Sequence, residues 1–333
     1  MRLFFLIVAV HLGLVAVIAA GVGAWGWRVY RAPGPLATAK LVDIPRGYGV
    51  SLIAETLTRE GAIDDPLLFR LAAKLTDRDS ALKAGEYEIP AHVSVERLLS
   101  LLENGAVYER KLTVPEGLTS WQIVNLLTAM TTLSGGVTDI PAEGTLLPET
   151  YRYRKGESRA AVLDRMERSM ANLRVPLMSS DRAIPAPLKS WQDIVTLASI
   201  VEKEAGDAKE YARIAGVFIN RLRAGMPLQA DPTVIYALTG GKVQEGGQGP
   251  LGRRLLRDDL AVDSPYNTYK YSGLPPGPIA NPGRLALEAV LEPERHDYLY
   301  FVANGTGGHV FSKTLEEHNR NVAAWRKLRK MRE

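Results

Sequence analysis

The chain has no cysteine among its 333 residues, which excludes disulfides, thiolate zinc sites and a cysteine nucleophile together. It also lacks any long block of one charge. Its 41 Lys and Arg and 37 Asp and Glu are scattered, for a net charge of +4. A dedicated nucleic-acid binder gathers basic residues on one face or arm, so that class is disfavoured. Histidine is scarce: His11, His92, His296, His309 and His318 show no H-x-x-x-H or similar ligand spacing, so a zinc hydrolase is disfavoured and no metal site is expected. His309 and His318 read as supports of the fold.

Long uncharged apolar sequence is present once, at the N-terminus. "LFFLIVAVHLGLVAVIAAGVGAWGW", Leu3 to Trp27, has His11 as its only ionisable side chain and is long enough to cross a bilayer. It reads as a retained transmembrane helix. The rival is a signal peptide cut near Ala20 or Ala24, but the apolar stretch exceeds the usual core of such a peptide. Both readings export the remaining chain. Trp25, Trp27 and Tyr30 suit the membrane interface, and "RAPGPLATA", Arg31 to Ala39, reads as a short linker.

A degenerate repeat follows. "VDIPRGYGVSLIAETL" from Val42 and "LTVPEGLTSWQIVNLL" from Leu112 each offer a strand, Pro-x-Gly and an amphipathic helix. "LKAGEYEIPAHVSVERLLSLL" from Leu82 and "LLPETYRYRKGESRAAVLDRM" from Leu146 each offer an extended piece entering a helix. In the first unit, strands at 40–44 and 85–89 enclose helices near 51–60 and 66–75. Strand, two helices, strand is the layout of LysM-type glycan-binding modules and equally of a spacer without ligand. The expected fold class is α+β: an N-terminal transmembrane helix, a small LysM-like α/β unit, and a mixed, mainly helical catalytic domain with short strands. The expected boundaries are 1–39 for anchor and linker, 40–104 for the LysM-like unit, 105–146 for the second small element and 147–333 for the catalytic region.

Beyond Leu147 helices dominate to Ala224, and Gly- and Pro-rich sequence then runs to Gly283. Gly240 to Gly252 reads as a flexible surface loop. "SPYNTYKYSGLPPGPIANPG", Ser264 to Gly283, holds Tyr266, Asn267 and Tyr269, a mixture suited to stacking on sugar rings and bonding their hydroxyls. A Pro-stiffened loop with its tyrosines packed on the core is the plainer reading. Tyr298 to Val322 reads as a hairpin with an Asn-Gly turn, followed by a C-terminal helix whose basic end is a solvated face.

The chemistry is sought in "TLASIVEKEAGDAKEYARIAGVFINRL", Thr196 to Leu222. On a helical wheel Ile194, Leu197, Ala198 and Val201 form a buried stripe flanked by Glu202 and Glu204. Glu204 lies on the bulkier border, beside Leu197 and Ile200. A carboxyl against apolar surface resists ionisation, and a raised pKa is what a general acid needs. Paired glutamates at a helix end are also a common solvated border. The next helix carries Asn220 inside an apolar run, where it must find partners. Gln229 and Asp231 precede Pro232 in a turn, with Asp231 either presented for function or acting as N-cap of the following helix.

Together "LASIVEKEA", "VFINRL", "LQADPTVIYAL", "SPYNTYKYSGLPPGPIANPG" and "YLYFVANGTGGHVFS" resemble the YceG-like endolytic murein transglycosylases over essentially the whole chain. The resemblance implies a lyase without cofactor that cleaves the MurNAc–GlcNAc bond within peptidoglycan strands and leaves 1,6-anhydro ends. Its catalytic acid matches Glu204, the second glutamate of the E-K-E run. Glu202, Asn220, Gln229, Asp231, Tyr266, Asn267 and Tyr269 are candidate substrate contacts. The implied place is the bacterial inner membrane, single-pass, with the catalytic region in the periplasm; possible partners are penicillin-binding synthases. A muramidase, or a non-catalytic scaffold for the synthases, are the alternatives.

Overall fold

The computed structural model describes residues 1–179, 183–243 and 250–330. Residues 244–249 of the expected surface loop and the last three residues of the basic end lie outside the described residues. By compactness the chain divides into Met1–Arg110 and Lys111–Glu333.

The first unit begins with helix α1, Arg2–Arg31, longer than the apolar run itself. It ends at Ala32, the residue before Pro33, where clash with the proline ring disfavours a helical backbone. Residues Phe4–Arg31 are apolar and long enough to cross a membrane; the most apolar stretch is not buried in the protein, while Tyr30 near the end packs on the core of this unit. The linker is less free than its composition suggests. Gly34 N–H donates to Val93 O (3.1 Å), His92 N–H donates to Leu36 O (2.8 Å), and Arg31 pairs with Glu96 at 3.1 Å. A side chain at Gly34 would lie 2.3 Å from Val93 O, so glycine is what lets the two backbones meet.

The remainder of this unit is β1 (Lys40–Ile44), α2 (Val50–Arg59), α3 (Pro66–Leu75), β2 (Gly85–Ile89) and α4 (Val95–Asn104). β1 and β2 pair antiparallel with Val42 opposite Tyr87 and Ile44 opposite Gly85. The alternation turns Val42 and Ile44 inward onto Phe69, Leu57, Leu98 and Tyr87. Asp65 caps α3 by accepting from Leu67 N–H, with Pro66 at its first turn, and Ser94 caps α4.

From β3 (Arg110–Thr113), whose first residue closes the first unit, the chain continues with α5 (Ser120–Ala129), β4 (Thr150–Tyr153) and α6 (Arg159–Leu177). β3 and β4 form a second two-stranded sheet. The repeat read from the sequence shares several local features in the two copies. Gly47 and Gly117, after the equivalent prolines, have φ of 85° and 72°. Tyr87 Oη donates to Lys83 O at 2.8 Å, and Tyr151 Oη to Leu147 O at 2.6 Å. Ser94 and Ser158 cap the equivalent helices.

α6 runs 19 residues and serves two cores. Val162, Leu163 and Met166 pack with Leu112, Ile123 and Tyr153; Met170, Leu173 and Leu177 pack with the helices that follow. Those helices are α7 (Trp191–Glu204), α8 (Tyr211–Arg223), α9 (Asp231–Thr239) and α10 (Arg284–Leu291). α7 packs against α8, α9 and α10, and is buried on every side from Ile194 to Val201. β5 (Tyr300–Ala303) and β6 (His309–Ser312) make the expected hairpin, with α11 (Leu315–Lys330) behind it. The turn is longer than an Asn-Gly pair: Asn304 Oδ1 accepts from Thr306 N–H at 2.8 Å and Gly308 N–H at 3.1 Å.

Candidate active site

Glu204 is the last residue of α7, so its carboxyl stands where the most buried helix of the unit surfaces. The helix is set at its other end by Ser190, whose Oγ accepts from Asp193 N–H at 3.2 Å. Glu204 is half-buried, and desolvation pushes its pKa up to about 8. The neighbouring Asp231 carboxylate raises it further; the Arg221 guanidinium and the Asp231 N–H oppose the shift by favouring the charged form. A helix C-terminus carries partial negative charge, which also favours the neutral acid.

Asp231 is the first residue of α9 and caps nothing: the N-cap position is Ala230, and no side chain caps that helix. This corrects the capping alternative. The Asp231 carboxylate instead accepts from Tyr269 Oη at 2.6 Å. The turn before it is fixed through Thr268, whose carbonyl accepts from Gln229 N–H (3.0 Å) and whose Oγ1 accepts from Ala230 N–H (3.0 Å). Gln229 is exposed and held at φ 50°, a left-handed backbone that non-glycine residues seldom adopt.

Tyr269 is positioned by Asn267, whose Oδ1 accepts from Tyr269 N–H at 3.0 Å. Asn267 itself is fully buried, and its amide donates to Leu260 O (2.9 Å) and Val262 O (2.8 Å), so its polar atoms hold the loop. Tyr266 stacks at a tilt on Tyr236, ring centroids 4.9 Å apart, farther along α9.

Glu202 belongs to a different set of contacts. Tyr211 Oη donates to its Oε1 and Gly283 N–H to its Oε2 at 3.0 Å. Burial pushes the nearby Glu116 above the usual carboxylate range, and Glu202's own charge adds to this. Asn220 is half-buried and donates to the backbone carbonyls of His296 (2.8 Å) and Tyr298 (3.1 Å), joining α8 to the start of the hairpin. Of the residues read from the sequence, the structure thus groups Glu204, Asp231 and Tyr269, with Gln229 two residues before Asp231. Glu202, Asn220, Tyr266 and Asn267 each have other immediate partners.

With this geometry in view, similarity to known proteins is informative. A profile of the YceG-like family matches residues 42–324. The chain belongs to that family. It is 34% identical over 310 residues to an endolytic murein transglycosylase of Bacillus subtilis, covering 84% of this chain and 82% of the relative. An endolytic murein transglycosylase of Streptococcus pneumoniae serotype 2 is 33% identical over 330 residues; the match takes in 85% of this chain and spans only 57% of the relative. A crystal structure of a yceG-like protein of Listeria monocytogenes is similar at a TM-score of 0.50 and 31% identity, covering 85% of this chain and 98% of that one.

In this YceG-like chain one participant escaped the sequence reading. Arg221 is 7% exposed, its Nε donates to Leu299 O at 2.6 Å and its Nη1 to Leu228 O at 2.7 Å. It thereby holds the chain leading to Asp231 and places a cation near Glu204. The signal was present: Ile214, Val217, Phe218 and Arg221 are spaced as one helical stripe, so an arginine stands at a core position. This cluster therefore contains one carboxyl, Glu204, raised to about 8, a second, Asp231, that accepts from a tyrosine hydroxyl, and a buried guanidinium. Among the described residues no group of three or more His, Asp or Glu could hold a metal ion.

Proposed function

We propose that the chain is a membrane-anchored endolytic lytic transglycosylase of peptidoglycan, with Glu204 as its single acid and base. The observation that carries this reading is the carboxyl at the end of α7, raised to about 8 and therefore protonated at neutral pH. Glu204 donates its proton to the bridging oxygen as the MurNAc C1–O bond breaks. The substrate's own 6-hydroxyl forms the new bond to C1, and its proton passes to the Glu204 carboxylate, restoring the acid. No water is added and the product ends as 1,6-anhydro-MurNAc. A two-carboxyl glycosidase needs a nucleophile or a base for water; here the sugar hydroxyl supplies the nucleophile.

Asp231 has two roles in this scheme. Its carboxylate keeps Glu204 protonated before reaction, and its charge opposes the positive charge that develops at C1. Tyr269 holds that carboxylate in place. Gln229, Tyr266 and the half-buried face of Glu202 are proposed to contact the sugars; Asn220 and Asn267 are proposed to serve binding by shaping the surrounding backbone.

The same reading assigns α1 as a single-pass anchor in the inner membrane, residues after Trp27 to the periplasm, residues 40–104 to a LysM-like unit that adds glycan affinity, residues 105–146 to a joining element, and residues 147–333 to catalysis. Penicillin-binding synthases, which make the strands, are the proposed partners. The deciding experiment digests purified peptidoglycan in oxygen-18 water and weighs the new ends. Anhydro ends without label are expected; labelled reducing ends would make the enzyme a muramidase, and no new ends would leave a scaffold.

A further inference from the structure

Away from Glu204, the segment around Glu143, the middle of α6 and the start of α7 enclose a cavity of about 830 Å³. That is the size of pockets that hold small ligands. Its wall combines Glu143 and Glu167 with Arg174, and adds Trp191 and Gln192 over an apolar floor at Met170. We infer that this cavity binds the peptide stem of the peptidoglycan substrate, taking the ammonium of its diamino acid at Glu143 and Glu167 and a stem carboxylate at Arg174. The inference rests on the transglycosylase reading for its choice of ligand.

Three observations support the assignment. First, the wall is amphoteric. The sugars of the strand offer hydroxyl and acetamido groups, whereas the stem brings an ammonium and carboxylates close together. Only the latter uses both signs of charge. Second, Glu143 is pre-oriented. Its Oε2 accepts from Ser120 N–H (2.9 Å) and from the buried Asn281 amide (3.3 Å), so the carboxyl is fixed before a ligand arrives. Burial raises it to about 7, and an arriving ammonium would favour the charged form.

Third, the position suits a branch of the strand held at Glu204. Asp231 and Tyr236 are five residues apart on α9, about 7.5 Å of helix rise. A side chain at Gly241 would lie 3.0 Å from Tyr236 and 3.1 Å from Glu143 Oε1, so the tyrosine and the glutamate both border this glycine. An extended peptide gains about 3.3–3.6 Å per residue, which puts the third residue of a stem about 10 Å from its sugar. The rise along α9 and the reach of the stem are of the same order.

The test titrates the full-length protein with a synthetic stem tetrapeptide containing diaminopimelate. Saturable binding is expected for the wild type and for Glu204→Gln. It should weaken at least tenfold in Arg174→Gln, an exposed change on α6, and in Trp191→Phe, which keeps an aromatic ring. Calorimetry near pH 7 in buffers of different ionisation heat should show proton release on binding. On intact strands, the ratio of kcat/KM for peptide-bearing over stem-free substrate should fall in Arg174→Gln. Absence of saturable binding, or equal binding and an equal ratio in the folded variants, would overturn the inference. Anhydro ends without peptide binding would refute the cavity's role alone; peptide binding without any strand cleavage would support it and refute the transglycosylase reading.

Discussion

The two repeats differ in what their shared pattern is attached to. In the first, β1, α2, α3, β2 and α4 close over their own core of Val42, Ile44, Phe69, Tyr87 and Leu98. In the second, the extra helix is missing, and the final helix is longer: α6 has 19 residues where α4 has 10. Its added turns carry Met170, Leu173 and Leu177 into the core built around α7. One copy is self-contained and the other is fused to the chemistry. The turn shows the same divergence: Arg46 follows Pro45 in the first copy, while Glu116 follows Pro115 in the second and lies beside Glu202. Gly47 has open space around it, whereas a side chain at Gly117 would meet Glu202 and Lys203 at 3.3 and 3.4 Å.

The largest effect should fall entirely on the fused side. Glu204→Gln preserves size but cannot exchange a proton, and general acid–base groups contribute about 10²–10⁴-fold. Turnover on purified peptidoglycan should drop by at least that range with unchanged circular dichroism. Near-normal activity in the folded variant would remove Glu204 from the mechanism. In the wild type, activity should decline as pH rises through about 8, where the acid form of Glu204 is lost.

The same residue has a stability signature. Its folded pKa is above its unfolded value of 4.5, so between about pH 4.5 and 8 the native state binds the extra proton. Stability therefore falls as pH rises through that window, by at most about 1.4 kcal/mol per pH unit. Denaturant titrations should find Glu204→Gln more stable than wild type at pH 8, with the two converging near pH 4. A gap independent of pH would contradict the buried-acid assignment.

The turn glycines sharpen the comparison directly. Gly47→Ala incurs only left-handed backbone strain, about 1–2 kcal/mol. Gly117→Ala incurs that strain and also crowds Glu202 and Lys203. It should lose more stability in the same melting experiment and, unlike Gly47→Ala, lower turnover. Equal losses in both measurements would mean that the second turn is as independent of the site as the first.

The smallest effect tests what the copies still share. Tyr87→Phe and Tyr151→Phe each remove the hydroxyl bond to the carbonyl four residues earlier, together with a second contact, to Leu102 O (3.4 Å) for Tyr87 and to Ser169 for Tyr151. Each should cost about 0.5–1.5 kcal/mol in chemical denaturation, with similar values for the two. A difference well beyond that range would show that the tyrosines are no longer equivalent.

Local order dictated much of this protein. The spacing of apolar residues marked the membrane-length helix, the strands at 40–44 and 85–89 and the α7 stripe, because period and capping chemistry act over a few residues. The same stripe brought both Glu202 and Glu204 forward as candidates, and it was the resemblance to the YceG-like family that singled out Glu204. Other properties depended on residues distant in sequence. Asp231 reads from the sequence as either a functional carboxylate or a helix cap, and Tyr269, 38 positions away, donates to its carboxylate. The Asn220 amide goes to carbonyls at His296 and Tyr298, far along the chain, whereas that of Asn267 goes to carbonyls of its own loop. Glu143 carries no mark of burial in the sequence, and Arg221 carries only its place on the apolar stripe of α8. Desolvation and charge pairing are set by which segments fold together, so the residue types came from the sequence, while their burial, partners and protonation were decided by the tertiary structure.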